Sequence, residues 1–355
     1  MLICEVIPFM LQINHLSIHH KKDLTDLVRD LSYTLRPEDK TVIIGEEGNG
    51  KSTLLKLLVD PGLVDSYAEH SGEIIVRDEL IGYLPQELPA ADRDKTLYEF
   101  FSELPLFLDF TPRELADISN ALGLSLDFFY ADQPVGTLSG GERIKAQFAR
   151  ILLQRPTVLL LDEPSNDIDI ATLEWLERYL VDSPLPVLFV SHDETLIERT
   201  ANVVIHLEKV RKKTVPRHTI ARMPYRKYID ERLSRFEHQE QLANKEQEEH
   251  DKKMAKYRQI EAKVEHQQNA ISRQDPSGGR LLKKKMHAVK SMGRRFEREK
   301  DDMTQRPDTE ASILLRFQGT TPVPAGKTVL ELDLPELRIG ETVLARNLRL
   351  HVSGG

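Results

Sequence analysis

Gly45-Glu46-Glu47-Gly48-Asn49-Gly50-Lys51-Ser52-Thr53 has the spacing G-x-x-x-x-G-K-[ST]. A loop of this type is built for phosphate. Its glycines let backbone N–H groups approach phosphate oxygens, and the helix that follows adds a favourable dipole. In such a loop Lys51 meets the β- and γ-phosphates and Ser52 ligates Mg2+. Gly45, Gly48, Asn49, Gly50 and Thr53 complete the nucleotide cradle.

Two further groups of residues have the types such chemistry needs. Val158–Leu161 is apolar and runs into Asp162-Glu163-Pro164. That order places Asp162 at the C-terminal end of a buried strand, where ligands bind in open parallel sheets. Asp162 is expected to hold Mg2+ through water, and Glu163 to orient and deprotonate the attacking water. Between the two motifs lies Leu138-Ser139-Gly140-Gly141-Glu142. A serine and two glycines opening a helix make a second anion site. One phosphate-loop domain rarely needs two, so the pair suggests two domains facing head to tail, each offering Ser139, Gly140, Gly141 and Glu142 to the other's ATP.

The elements that must position these residues are legible. Met10 to about Lys209 alternates strands and helices in the α/β manner. Thr41–Ile44, Val158–Leu161 and Val187–Val190 are short apolar runs of the buried parallel-strand type. About 52 residues separate Gln86 from Ser139, room for a small helical subdomain only.

The order of motifs resembles that of ATP-binding-cassette ATPases: the phosphate loop, Gln86 after Tyr83-Leu84-Pro85, Leu-Ser-Gly-Gly-Glu, the Asp-Glu acids and Ser191-His192-Asp193. The resemblance implies that Gln86 contacts Mg2+ and water, that Asp169 lies in the D-loop, and that His192 contacts the γ-phosphate. Catalytic roles then fall to Glu163, His192 and Gln86, and metal contacts to Ser52, Gln86 and Asp162. One departure concerns the base. The stretch that stacks adenine in such ATPases reads Ile18-His19-His20-Lys21 here, without an aromatic residue, and His19 or His20 is the candidate in its place.

The remaining chain narrows the resemblance. Of 355 residues, those from Arg211 to Glu310 hold 26 Lys and Arg against 17 Asp and Glu, or +9. With a total of −8, the rest carries −17, so a basic middle is flanked by acidic ends. The middle has almost no strand signal. Tyr257, Val264 and Ile271 repeat at seven with Ile260 beside them, and so do Leu282, Val289, Phe296 and Met303. Asp275-Pro276-Ser277-Gly278-Gly279 lies between. Two apolar seams and a Pro/Gly turn predict an antiparallel helical hairpin. From Arg273 to Arg298 nine basic residues face two acids, a one-signed charge suited to RNA phosphates. Lys283, Lys284, Lys285, Arg294 and Arg295 are the candidate contacts. Aromatic residues are sparse there, so base stacking is not the expected mode. Leu281–Met303 makes an arm of about 35 Å at ~1.5 Å per residue.

A cassette followed by a long charged helical linker, with Glu142 ending the Leu-Ser-Gly-Gly-Glu motif, resembles the ABC-F subfamily. The implied fold is an α/β P-loop ATP-binding cassette with a small helical subdomain (10–210), a basic helical-hairpin linker (211–310) and the start of a second cassette (327–355). Thr328–Leu334, Leu337–Ile339 and Leu348–Val352 are its predicted strands. About 29 residues cannot bury a core of their own, so the second cassette is expected to be cut short. Met1–Phe9 is either an over-extended reading frame, with Met10 the start, or a short N-terminal strand.

The subfamily resemblance implies ATP and Mg2+ as cofactors. It implies a cytoplasmic protein that acts on the ribosome, as a translation factor or in antibiotic resistance, with the linker reaching toward rRNA and tRNA. The missing second cassette is the other implied partner. One cysteine, Cys4, excludes an internal disulfide, and no run approaches the ~18–20 apolar residues of a membrane span. The rivals are the ATPase subunit of a transporter, which leaves the basic hairpin without a purpose, and a coiled-coil interaction protein with a vestigial cassette, against which Lys51, Asp162 and Glu163 speak.

Overall fold

The structure, a computed structural model, describes residues 11–77, 79–210, 214–270, 276–301, 303–304, 324, 326–339 and 342–353. Met1–Met10, Ile271, Arg273 and Asp275 lie outside the described residues. The chain divides into two units, residues 1–308 and 309–355.

In the first unit β1 (Leu11–His20), β2 (Asp26–Leu35) and β4 (Ala68–Val76) form an antiparallel sheet in the order β2-β1-β4. Leu11, Ile13, Leu16 and Ile18 face inward. Their two-residue period slips once, at His15 (φ 49°), where the pairing register shifts and the strand bulges.

The main sheet has the order β5-β6-β7-β3-β8-β9. Its strands are β3 (Lys40–Ile44), β5 (Ile81–Leu84), β6 (Val158–Asp162), β7 (Val187–Val190), β8 (Val203–Val210) and β9 (Val215–Ala221). The first five are parallel and β9 is antiparallel to β8. β6 and β7 are buried along their whole length. Side chains alternate between two cores. Leu159, Leu161 and Phe189 enter one, and Val158, Leu160 and Leu188 enter the other. A sheet covered on both faces needs apolar residues at every position, and the sequence supplies them.

Helix α1 (Lys51–Val59) follows the phosphate loop. A helical subdomain holds α2 (Leu97–Ser102), α3 (Pro112–Leu122) and the start of α4 (Gly140–Leu152) around Phe100, Phe101, Phe107 and Phe129. Each of its helices opens on a capping box: Thr96/Glu99, Thr111/Glu114 and Ser139/Glu142. The reciprocal bonds satisfy amides that the first turn leaves open. α5 (Ile170–Asp182) and α6 (Glu194–Thr200) follow β6 and β7.

Two expectations for the middle segment are corrected. The stretch from 211 is not free of strands: β9 pairs with β8 from Val210↔Val215 to Val204↔Ala221. Its weak apolar pattern reflects an edge position that buries little. The helical arm therefore begins at α7 (Tyr225–Ala270), and α8 (Pro276–Asp301) returns beside it. Pro276–Gly279 is the first turn of α8, where proline's missing N–H costs nothing. His250 Nε2 lies 3.2 Å from the Phe296 carbonyl oxygen, and Lys253 Nζ lies 3.2 Å from Glu299. Thr304 N donates to Glu246 at 2.7 Å. The pairing is thus antiparallel. Val264, Leu282 and Val289 are buried in the seam, whereas Ile260 is exposed and Met303 lies past the end of α8.

In the second unit two 12-residue strands, β10 (Thr328–Ile339) and β11 (Thr342–Ser353), form an antiparallel hairpin. The predicted break between Leu334 and Leu337 is absent, because β10 runs on through Pro335. In a two-stranded ribbon each strand is an edge and tolerates a missing N–H.

Candidate functional site

Phosphate-loop residues Gly45–Gly50 connect β3 to α1. Gly45, Gly48 and Gly50 have φ of 145°, 77° and 85°, values that favour glycine. At Gly45 space matters as well, since a Cβ there would overlap the Leu207 carbonyl oxygen. Asn49 Nδ2 donates to that same oxygen at 2.9 Å. The Asn49 side chain therefore braces the loop against β8. Lys51 Nζ donates to the carbonyls of Gly45 and Glu46 at 2.9 and 3.1 Å, which holds the ammonium over the loop. Ser52 and Thr53 follow in the first turn of α1.

The acids arrive on β6. Ser52 Oγ donates to Asp162 Oδ1 at 2.8 Å. Asp162 is fully buried, and burial pushes its carboxyl above the ordinary range. Its Oδ2 is buried without a hydrogen-bond partner among the described residues. An orphaned carboxylate oxygen beside a serine hydroxyl fits a hard cation that takes few protein ligands and shares phosphate oxygens. Ser52, Asp162 and Gln86 would hold Mg2+, which there would neutralise phosphate charge.

Glu163 is 7% exposed and its backbone is left-handed, φ 50°. Burial raises its carboxyl, and the His192 and Lys51 charges oppose that shift. His192 Nε2 is 3.3 Å from Glu163 Oε1. Glu163 Oε2 has no hydrogen-bond partner among the described residues, so one basic oxygen is left for a water. Gln86, Glu163, Gly140, Arg143 and Asn166 line one cavity of about 280 Å3. Motifs 23 to 77 residues apart in sequence thus share a wall. Sequence reasoning missed Arg143 and Asn166. Their signal was adjacency, Arg143 following Glu142 and Asn166 following the acids by three.

The Ser139 motif is a helix start. Ser139 Oγ and N both donate to Glu142, at 2.7 and 3.0 Å. These bonds hold the Glu142 carboxyl below its ordinary range, so Glu142 serves the cap. Asp169 likewise caps α5 through Thr172, at 2.9 and 3.0 Å, and those bonds lower its carboxyl too. A Cβ at Gly140 would strike the Asp167 carbonyl, and one at Gly141 the Thr172 hydroxyl. The two glycines let the Asp167–Thr172 segment pack against the start of α4.

His19 Nδ1 is held by Asp26 at 2.6 Å, and His20 Nδ1 by Asp23 at 3.1 Å. Leu27, next to Asp26, touches the loop at Gly50. This places β2, which pairs with the histidines' strand β1, beside the phosphate loop.

On α8 the cations divide by face. At ~100° per residue, Arg280, Lys283, Lys290, Arg294 and Arg298 fall within a sector of about 80° beside the seam. All five are exposed. Lys284 and Arg295 fall about 40° and 60° outside that sector, past Arg280, and Lys285 lies opposite it; Arg295 is paired with Glu299 at 2.9 Å.

Residues 28–166 match the family model described as ABC transporter. The ATP-binding protein Uup of Escherichia coli is 36% identical over 49% of this chain and 27% of its own. The energy-dependent translational throttle protein EttA of Mycobacterium tuberculosis is 34% identical over 51% and 32%. An antibiotic resistance protein of Mycobacteroides abscessus is 30% identical over 54% and 41%. Residues 28–166 thus carry an ATP-binding cassette similar to those of ABC-F type proteins. The chain spans less than half the length of each of these relatives. A dimeric bacterial ABC transporter cassette of known structure is 20% identical, covers 56% of this chain and 94% of its own, and has a TM-score of 0.46. Among the described residues no helix is long and apolar enough to cross a membrane.

Proposed function

We propose that the cassette, from residue 10 to about 221, binds ATP with Mg2+ and hydrolyses it, and that the arm carries this work to the ribosome. The observation that carries the first half is the constellation at the end of β6. A buried acid is bonded to the phosphate-loop serine, and beside it a second acid with one unpartnered oxygen lies against a histidine. Lys51 binds the phosphates, Glu163 takes a proton from the attacking water, and His192 orients Glu163 and the γ-phosphate. Ser139, Gly140 and Gly141 would complete the ATP site of a facing cassette.

The second half rests on the arm and the relatives. A cation row on one flank of α8 matches a line of phosphates, and one relative is named as a translational throttle. The row spans 18 residues, about 27 Å at ~1.5 Å per residue. Lys283 and Arg294 belong to it. The β10–β11 hairpin repeats the antiparallel arrangement of β1 and β2 that opens the cassette, and supports the reading of 327–355 as part of a second cassette. A cytoplasmic location and a role as translation factor or in antibiotic resistance follow from the same reading.

The test is co-sedimentation of the protein with ribosomes, with ATP turnover measured in parallel. ATP-dependent pelleting with ribosomes is the expected result. Recovery with membranes instead would favour the transporter-subunit reading, and absence of nucleotide binding would overturn the ATPase reading itself.

A further inference from the structure

Strand β8 is gripped from two sides. His206 and Glu208 turn toward the root of the arm. His206 Nδ1 lies 2.8 Å from the Tyr228 hydroxyl, and Glu208 pairs with the Arg232 guanidinium. Glu208 Oε1 is also 3.8 Å from His206 Nδ1. The four side chains are buried, none more than 7% exposed. The neighbours Leu207 and Lys209 grip the phosphate loop. The Leu207 carbonyl accepts Asn49 Nδ2 and crowds Gly45, and Lys209 Nζ donates to the Gly48 carbonyl at 3.2 Å. Arm root and phosphate loop therefore alternate, residue by residue, along four positions of one strand.

A buried ion pair is a poor source of net stability, because desolvating two charges offsets their attraction and an apolar pair of like volume does as well. What it supplies is geometry, since both partners need each other at a fixed separation. Here the fixed distance runs from α7 to the strand, and the strand sets where Asn49 and Gly48 sit.

We propose that Glu208–Arg232 and His206–Tyr228 are positioning contacts that register β8 against the phosphate loop, so that nucleotide at the loop and order at the arm root are coupled. The inference rests on the reading that the loop binds ATP. Coupling of this kind is reciprocal: whatever nucleotide does to the arm root, fixing the arm root does to nucleotide affinity. An RNA that steadies the arm would tighten ATP binding through these four side chains.

The test uses the whole chain, a fluorescent ATP analogue with Mg2+, and amide hydrogen exchange over residues 225–235 with and without nucleotide. In the wild type nucleotide should slow exchange at the arm root. Arg232→Met keeps the aliphatic stem and removes the charge. It should weaken nucleotide binding about fivefold or more, the low end of typical coupling, and abolish the nucleotide-dependent protection. Arg232→Lys should restore part of both. Tyr228→Phe, which removes one hydroxyl, gives the same reading should Arg232→Met fail to fold. Arg226→Gln, at the exposed Arg226–Glu198 pair on the same turn, should change neither. Folded Arg232→Met or Tyr228→Phe protein with wild-type affinity and wild-type protection would overturn the coupling. Wild-type protein that binds no nucleotide would overturn the ATP reading instead, so the two failures are distinct.

Discussion

Ser52 Oγ donates to Asp162 Oδ1 at 2.8 Å, joining the first turn of α1 to the end of β6 across 110 residues of chain. The bond leaves Asp162 Oδ2 as the oxygen free to meet a cation's water. Asp162→Asn keeps the shape and the serine's acceptor but removes the charge. Mg2+ should then raise ATP affinity about tenfold less than in the wild type, or ~1.4 kcal/mol. ATP titrations with Mg2+ and with EDTA measure the difference. An undiminished Mg2+ effect would remove Asp162 from the metal site.

Glu163→Gln keeps size and hydrogen bonding and removes the base. Loss of a general base costs ~10²–10⁴-fold in rate. Single-turnover hydrolysis should fall by that factor while nucleotide affinity is retained. A loss of affinity equal to the loss of rate would make Glu163 a binding group.

The pH profile follows from the same residue. Burial raises the Glu163 carboxyl above its ordinary value of 4.5, and the His192 charge is the largest effect opposing that rise. A base must be ionised to act, so hydrolysis should fall on acidification with a midpoint above 4.5. His192→Gln removes the opposing charge and should move that acid limb to higher pH, whatever it does to the maximum rate. A limb that stays put or moves down would show that His192 does not act on Glu163.

Gly140 and Gly48 are glycines for different reasons. At Gly140 an added Cβ would enter the Asp167 carbonyl, whereas at Gly48 nothing lies within 4 Å and only φ of 77° resists. Gly140→Ala should cost ~1–3 kcal/mol as overpacking. Gly48→Ala should cost ~1–2 kcal/mol of left-handed strain, without displacing a neighbour. Thermal melts combined with exchange at residues 166–170 separate them. Only Gly140→Ala should loosen that segment, and a rigid segment in both variants would refute the contact.

The core strands and the chemistry-bearing motifs were legible because each is written locally. Apolar runs such as Val158–Leu161 have one buried solution, and a glycine-rich loop before a helix has few uses. What was not legible depends on partners far away in sequence. β9 is a strand because β8 offers it an edge, and its own residues, Val215 to Ala221, alternate weakly. Asn49 reads as a ligand contact within its motif, and only the return of β8 shows its amide bracing Leu207. Glu142 and Asp169 read as site residues by position, while their carboxylates are occupied by helix caps. The five arm cations read as one patch because Lys283–Lys285 are adjacent in sequence, yet a helix turns each by ~100°.

That turn gives the sharpest test of the arm. Lys283, Lys290 and Arg294 share the flank with Arg280 and Arg298. Lys285 lies opposite that row, while Lys284 and Arg295 lie about 40° and 60° outside it, Arg295 being neutralised by Glu299. Replacing either triplet with Gln removes three charges, keeps helix propensity and leaves Leu282, Val289 and Phe296 in the seam. Net charge is therefore matched, and only geometry differs. Each phosphate contact contributes about −0.7 to −0.9 to the slope of log affinity against log salt. Ribosome binding by the Lys283/Lys290/Arg294 triplet variant should lose about two units of slope, and the Lys284/Lys285/Arg295 variant less than one. ATP turnover without ribosomes should be the same in both, since no member of either triplet belongs to the cassette. Equal losses of slope would mean that the arm acts as a diffuse positive charge, and no change in either would make the row a solvated face with no RNA partner.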